Sequence, residues 1–134
     1  MLFCSGSCEN KEFQRFVIQN NSDMEIVVFW GTWRSMEVPR CFIDRETMTR
    51  PEVRDIIQQN RIAPHSSRDF GRRFGTILNN LQIGYLDTLY VGAFYRIDMD
   101  TMSCAEFEQK YPLKKEWRVT SADMDEFGWT LVYP

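Results

Sequence analysis

Five consecutive apolar residues, Ile26-Val27-Val28-Phe29-Trp30, lie between the polar stretch Asn20-Asn21-Ser22-Asp23 and Gly31. A run this short, bounded by turn residues and rich in β-branched and aromatic types, predicts a strand rather than a helix. Because it does not alternate with polar residues, both of its faces must be covered, which places it inside a sheet with material above and below. The rest of the chain has to supply that cover. At 134 residues, 43% of them hydrophobic and 14% aromatic, it has enough to do so in one globular domain. A chain of this length buries roughly 68% of its unfolded surface, so neither a metal nor a disulfide is needed to hold it together.

The elements around the central run follow from local chemistry. Residues 1–10 are small and polar and predict a loosely ordered lead-in. Glu12 to Ile18 is a second apolar stretch across the Asn/Ser/Asp turn, the pattern of a β-hairpin. Val38 to Ile43 predicts a third strand, at an edge because Pro39 has no amide to donate. Thr49-Arg50-Pro51-Glu52 is a capping box opening a helix with Val53, Ile56 and Ile57 on one face and Asn60 at its end. A second helix is expected from Ser66 or Ser67 to Gly84, with Phe70, Phe74, Ile77, Leu78 and Leu81 as its buried stripe. Gly71 and Gly75 each weaken such a helix by roughly 1 kcal/mol relative to alanine. Leu89 to Ile97 reads as a strand beside the central one. Ser103-Cys104-Ala105-Glu106 is a second capping box, opening a short helix that Pro112 stops. Trp117 to Thr120 and Gly128 to Tyr133 close the chain as strands, the latter with Trp129, Leu131 and Tyr133 on one face. Blocks of strands and helices in this order predict an α+β fold: a largely antiparallel sheet of five to six strands, with two main helices and one short helix packed on one side.

Charge and cysteine content narrow the functional classes. The net charge is −3, but residues 34–73 carry nine arginines against six acids, while residues 74–134 carry five bases against nine acids. That mild polarity falls short of the basic footprint of a nucleic-acid-binding domain. No apolar run reaches the length of a membrane span, and the first eight residues lack the basic start and apolar stretch of a signal peptide, which predicts a cytoplasmic protein. Cys4, Cys8, Cys41 and Cys104 show no framework spacing, and His65 is the only histidine. A structural zinc site needs four ligands at recognisable spacing, so Cys4 and Cys8 predict no metal, and no cofactor is expected. A thiolate–imidazole pair of Cys41 with His65 is outweighed by an inert buried cysteine and a loop histidine. Ser66 and Ser67 read as helix caps rather than nucleophiles.

Val27-Val28-Phe29-Trp30-Gly31-Thr32-Trp33, together with the helix start at Glu52-Val53, resembles the strand that leads to the active site of the thioredoxin family. The resemblance implies thiol–disulfide exchange by a Cys-x-x-Cys pair after the tryptophan. Those two positions here are Arg34 and Glu37, so the chemistry cannot run at that site, and the resemblance implies at most a redox-inactive relative.

Two charged sets remain. Arg61, Arg68, Arg72 and Arg73 cluster around the expected helix start, where guanidinium groups would favour a phosphate or carboxylate. Asp98 and Asp100 lie two apart at a strand end, and Asp123, Asp125 and Glu126, in the loop before the last strand, lie close in sequence to Phe127 and Trp129. Acids with aromatic anchors suit a basic protein partner. The sequence therefore points first to a small protein-binding or inhibitory protein. An immunity protein or a viral or phage inhibitor that neutralises a toxin or host factor is the type of activity expected. A small enzyme or ligand-binding domain holding an anion near Arg68 and Arg72 comes second.

Overall fold

The computed structural model describes residues 15–32 and 51–134, without the side chains of Glu52, Val53 and Cys104. The strand expected at Val38–Ile43, the lead-in, and Cys4, Cys8, Arg34, Glu37 and Cys41 lie outside those residues. In chain order the elements are β1 Val17–Asn20, β2 Ile26–Gly31, α1 Pro51–Asn60, β3 Arg61–Ile62, β4 Ser66–Asp69, α2 Gly71–Ile83, β5 Leu89–Tyr95, α3 Arg96–Thr101, α4 Cys104–Lys110, β6 Lys115–Val119, α5 Ser121–Phe127 and β7 Thr130–Tyr133. The fold is α+β, and among the described residues four of the five strand pairings are antiparallel.

The central run behaves as its composition demands. Residues Ile26 to Phe29 are all buried, and β2 sits between β3 and β5 in a four-stranded sheet of order β3-β2-β5-β6. Successive side chains point to opposite faces. Ile26 and Val28 join Leu89, Val91 and Ala93 of β5 in the main core, and Val27 and Phe29 join Phe94 in a second cluster on the other face. Helices cover both faces rather than one. Ile57 of α1, Met99 of α3 and Phe107 of α4 pack on the second cluster, while Phe74, Leu78 and Leu81 of α2 and Met124 of α5 fill the main core.

The hairpin expected across residues 20–23 does not form. β1 pairs instead with β4, antiparallel, and with β7, parallel, as the middle strand of a second sheet of order β4-β1-β7. The cause is Asn20. Fully buried, its amide Nδ2 donates to the carbonyls of Met24 at 2.7 Å and of Ile62 and Ala63 at 3.2 Å, and its Oδ1 accepts from the Ser22 amide and hydroxyl. The turn is thus pinned to β3, and the chain passes from one sheet into the other instead of folding back on itself. The two sheets enclose the main core, where Ile18, Leu131 and Tyr133 face Ile26, Val91 and Val119.

Helix α2 also starts later than expected. Ser66 and Ser67 do not cap it; they pair with Asn20 and Gln19 as part of β4. The N-cap residue is Phe70, which offers no side-chain cap; the preceding Asp69 accepts at Oδ1 from the Gly71 amide at 2.8 Å and from the Phe16 amide at 3.1 Å. Of the expected stripe, Phe70 just before the helix and Phe74, Leu78 and Leu81 within it are buried, Ile77 is only partly so, and Gly84 ends the helix in the left-handed conformation. Gly75 has φ 35° and ψ −106°, so α2 is two helical pieces joined at a kink that a side chain would strain. Ser103 opens α4 with the expected reciprocal capping box.

Candidate functional site

Helix α5 and strand β7 form one corner of the molecule. Residues Asp123, Asp125 and Glu126, expected in a loop, lie on α5, because Thr120 and Asp123 make a capping box that nucleates a helix there: the Asp123 amide donates to Thr120 Oγ1 at 3.2 Å and the Thr120 amide to Asp123 Oδ2 at 3.1 Å. Gly128 ends it in the left-handed conformation, and Trp129 follows with φ 58°. That abrupt turn drops Trp129 into the core and leaves Phe127 outside, 54% exposed. The Trp129 indole donates from Nε1 to Asp125 Oδ1 at 3.1 Å, fixing the helix against the start of β7. Among the described residues none of the three α5 acids is ion-paired. Asp123 spends its carboxylate on the cap and Asp125 part of its own on the indole; Asp125 and Glu126 are exposed.

Asp98 and Asp100 are not part of that corner. The strand end expected there is helix α3, which turns the two side chains roughly 200° apart around its axis. Asp98 faces Lys114 Nζ at 3.7 Å, and Asp100 accepts from Arg96 Nε at 3.2 Å. Helix α3 follows the C-terminal end of β5, whereas α5 follows Val119, which pairs with Leu89 at the other end of β5. The two acidic groups are therefore separated along the sheet by roughly 20 Å, at about 3.3 Å per strand residue. They also lie on opposite faces, since Met99 and Met124 belong to different clusters.

Arg72 and Arg73 lie in the first turn of α2, as expected, and Arg73 reaches with Arg61 and Arg68 to the C-terminal turn of α1. Arg68, on β4, donates from Nη1 to the Gln58 and Arg61 carbonyls, both at 3.0 Å. Arg73 donates to Gln59 Oε1 and Asn60 Oδ1, both at 2.6 Å, and lies over the Trp30 ring at 5.5 Å. Partial burial, and then the charge of Arg68, hold the Arg73 pKa below its ordinary value. Arg61 donates to Glu25 Oε2 at 2.9 Å, and Arg72 is exposed on α2. Cations at the carbonyl end of a helix offset its partial negative charge, so Arg68 and Arg73 have a structural task there. Arg68 lies in a strand and Arg72 in a helix, so the two do not line one helix start. His65 Nε2 is 2.6 Å from Asp23 Oδ1 on the surface.

No family model, curated protein or solved structure matches this chain. The likeness to the thioredoxin family thus rests on its few residues alone, and the chemistry of the surface has to be read from the molecule itself. Among the described residues no group of three or more histidine, cysteine, aspartate or glutamate side chains is placed to hold a metal ion, and no helix is long and apolar enough to cross a membrane.

One feature of the corner lay beyond the sequence-based set: Val132, 44% exposed on β7. Its signal was available in the alternation that puts Leu131 and Tyr133 inward, which leaves Val132 pointing out. What the sequence could not supply is that β7 ends a sheet. Among the described residues only β1 pairs with it.

Proposed function

We propose that this protein acts by contact, binding a basic protein partner through the corner formed by α5 and β7. Occlusion of that partner, the work of an immunity protein or a viral or phage inhibitor, is the activity this surface suits. The observation that carries the proposal is the exposed Phe127 ring beside the exposed Asp125 and Glu126 carboxylates, none of them ion-paired among the described residues. An aromatic anchor with an acidic rim is the arrangement in which apolar burial supplies affinity while charge sets encounter rate and selects against acidic partners. Asp98 and Asp100, already paired with Lys114 and Arg96 at the other end of β5, add little to this surface.

The test begins with isolation of a stoichiometric partner from the native source, followed by binding measurements with purified components. Glu126→Lys is expected to slow association and flatten its salt dependence, and Phe127→Ser to weaken the complex about tenfold or more, a loss of about 1.4 kcal/mol. Both positions are exposed, so the unfolding midpoint should not move. Wild-type affinity in both variants would overturn the proposal.

A further inference from the structure

Among the described residues the two sheets have four outer strands, and three of them carry devices that discourage further pairing. β3 is only two residues long and includes Arg61; β4 carries Arg68 and Asp69; β6 carries Lys115, Glu116 and Arg118. Short length and charge are how soluble proteins keep sheet edges from recruiting other chains. β7, Thr-Leu-Val-Tyr, has neither device.

Its backbone is presented accordingly. In the parallel pairing with β1, the Trp129 carbonyl accepts from the Val17 amide and the Tyr133 carbonyl from the Asn21 amide, both at 2.9 Å. Bonding groups alternate sides along a strand, so the odd-numbered residues of β7 face β1 while the N–H and C=O of Thr130 and Val132 point outward. The outward row begins where the Trp129 indole anchors Asp125, with Glu126 one residue further along α5.

Resting on the contact surface proposed above, we infer that β7 accepts an extended, lysine- or arginine-bearing segment of the partner as a fourth strand of the β4-β1-β7 sheet. The backbone of Thr130 and Val132 supplies the pairing, and Asp125 and Glu126 select for positive charge at the strand's α5 end. A second copy of this chain fits less well, because it would bring its own β7 and α5, with no basic residue in either, to the same edge.

Hydrogen exchange and a peptide titration test this. The probes are seven-residue peptides alternating lysine with valine, alternating glutamate with valine, and a lysine–valine peptide interrupted by proline. In the free protein the Thr130 and Val132 amides should exchange at least tenfold faster than those of Leu131 and Tyr133. The lysine–valine peptide should slow them at least tenfold, and the other two should bind at least tenfold more weakly. Val132→Pro removes only an outward amide, which an edge strand tolerates, so it should abolish peptide binding while the unfolding midpoint stays within a few degrees. If that variant fails to fold, Val132→Lys should repel the same peptide and serve instead. Protection of both amides in the free monomer would show that the edge is already covered and would overturn the inference. So would peptide binding unaffected at Val132, or a concentration-dependent dimer that Val132→Pro dissolves. Loss of partner binding in Glu126→Lys and Phe127→Ser with none in Val132→Pro would remove the strand addition alone and leave the contact surface standing.

Discussion

Replacing Asn20 by alanine should destabilise the protein by about 3 kcal/mol, and the figure can be assembled from its contacts. The amide donates to three carbonyls, of which the bond to Ile62 is fully buried and those to Met24 and Ala63 partly so. A buried carbonyl that loses its donor costs about 1–3 kcal/mol, whereas a part-buried one regains water and costs about 0.5–1 kcal/mol. The Ser22 amide and hydroxyl lose an acceptor near the surface, where water replaces it. Urea unfolding followed by tryptophan fluorescence is the assay. The midpoint should fall by about 1.5 M at a slope of roughly 2 kcal/mol per M, with the slope itself unchanged. Ser22→Ala alone should cost under about 1 kcal/mol, and the double variant should resemble Asn20→Ala because the two residues share bonds. A loss below about 0.5 kcal/mol in Asn20→Ala would mean that the side chain does not pin one sheet to the other, and the account of why the hairpin fails would go with it.

Two further outcomes can be checked on the same material. Phe74 has ring centroids of Trp30 at 4.3 Å, Phe16 at 4.7 Å and Phe70 at 5.9 Å around it, so Phe74→Ala should cost about 3–5 kcal/mol by the same unfolding measurement; a loss under about 1.5 kcal/mol would move the centre of the core elsewhere. Burial, and then the hydrogen bond with Tyr95, push the Tyr133 pKa up to about 12. The folded state holds that proton more tightly than the unfolded one, so this contribution to stability is complete below about pH 10 and is lost as pH rises toward 12. Unfolding midpoints measured across that window should fall less steeply in Tyr133→Phe, and an identical slope would refute the assignment.

What the sequence shows of this fold is what local chemistry decides. The apolar run at residues 26–30, the stripe from Phe70 to Leu81 and the Ser103 capping box each carry their own signal and appear where expected. What it hides depends on partners distant in the chain. The turn at Asn20 has the composition of a hairpin, but a buried side chain reaching Ile62, 42 residues away, sends the strand to another sheet. Ser66 and Ser67 look like caps until β1 needs a neighbour. Asp98 and Asp100 look like a pair until Tyr95 ends the strand and the chain coils around Met99. The Thr120-to-Asp123 capping box is local chemistry of the same kind as that at Ser103, and it sets the acidic residues on a helix.

Charge composition misleads in a related way, and the resolution bears on what the surface can bind. Counted along the chain, the arginine-rich middle is its most strongly marked charged region and invites an anionic ligand. Counted in space, Arg61 is held by Glu25, and Arg68 and Arg73 are turned onto carbonyl and amide oxygens at the end of α1. The acids divide differently. Glu25, Asp69, Asp98, Asp100, Glu106 and Glu116 each face a lysine or arginine, whereas those of α5 do not. A charge already answered within the molecule must be torn from its partner before it can meet a ligand, and a surface ion pair then returns little for the exchange. The unanswered carboxylates of Asp125 and Glu126 carry no such cost, and they stand beside an exposed phenylalanine and an uncharged sheet edge. That coincidence at one corner, rather than the acid excess of the whole chain, is the reason the proposed partner should be sought there.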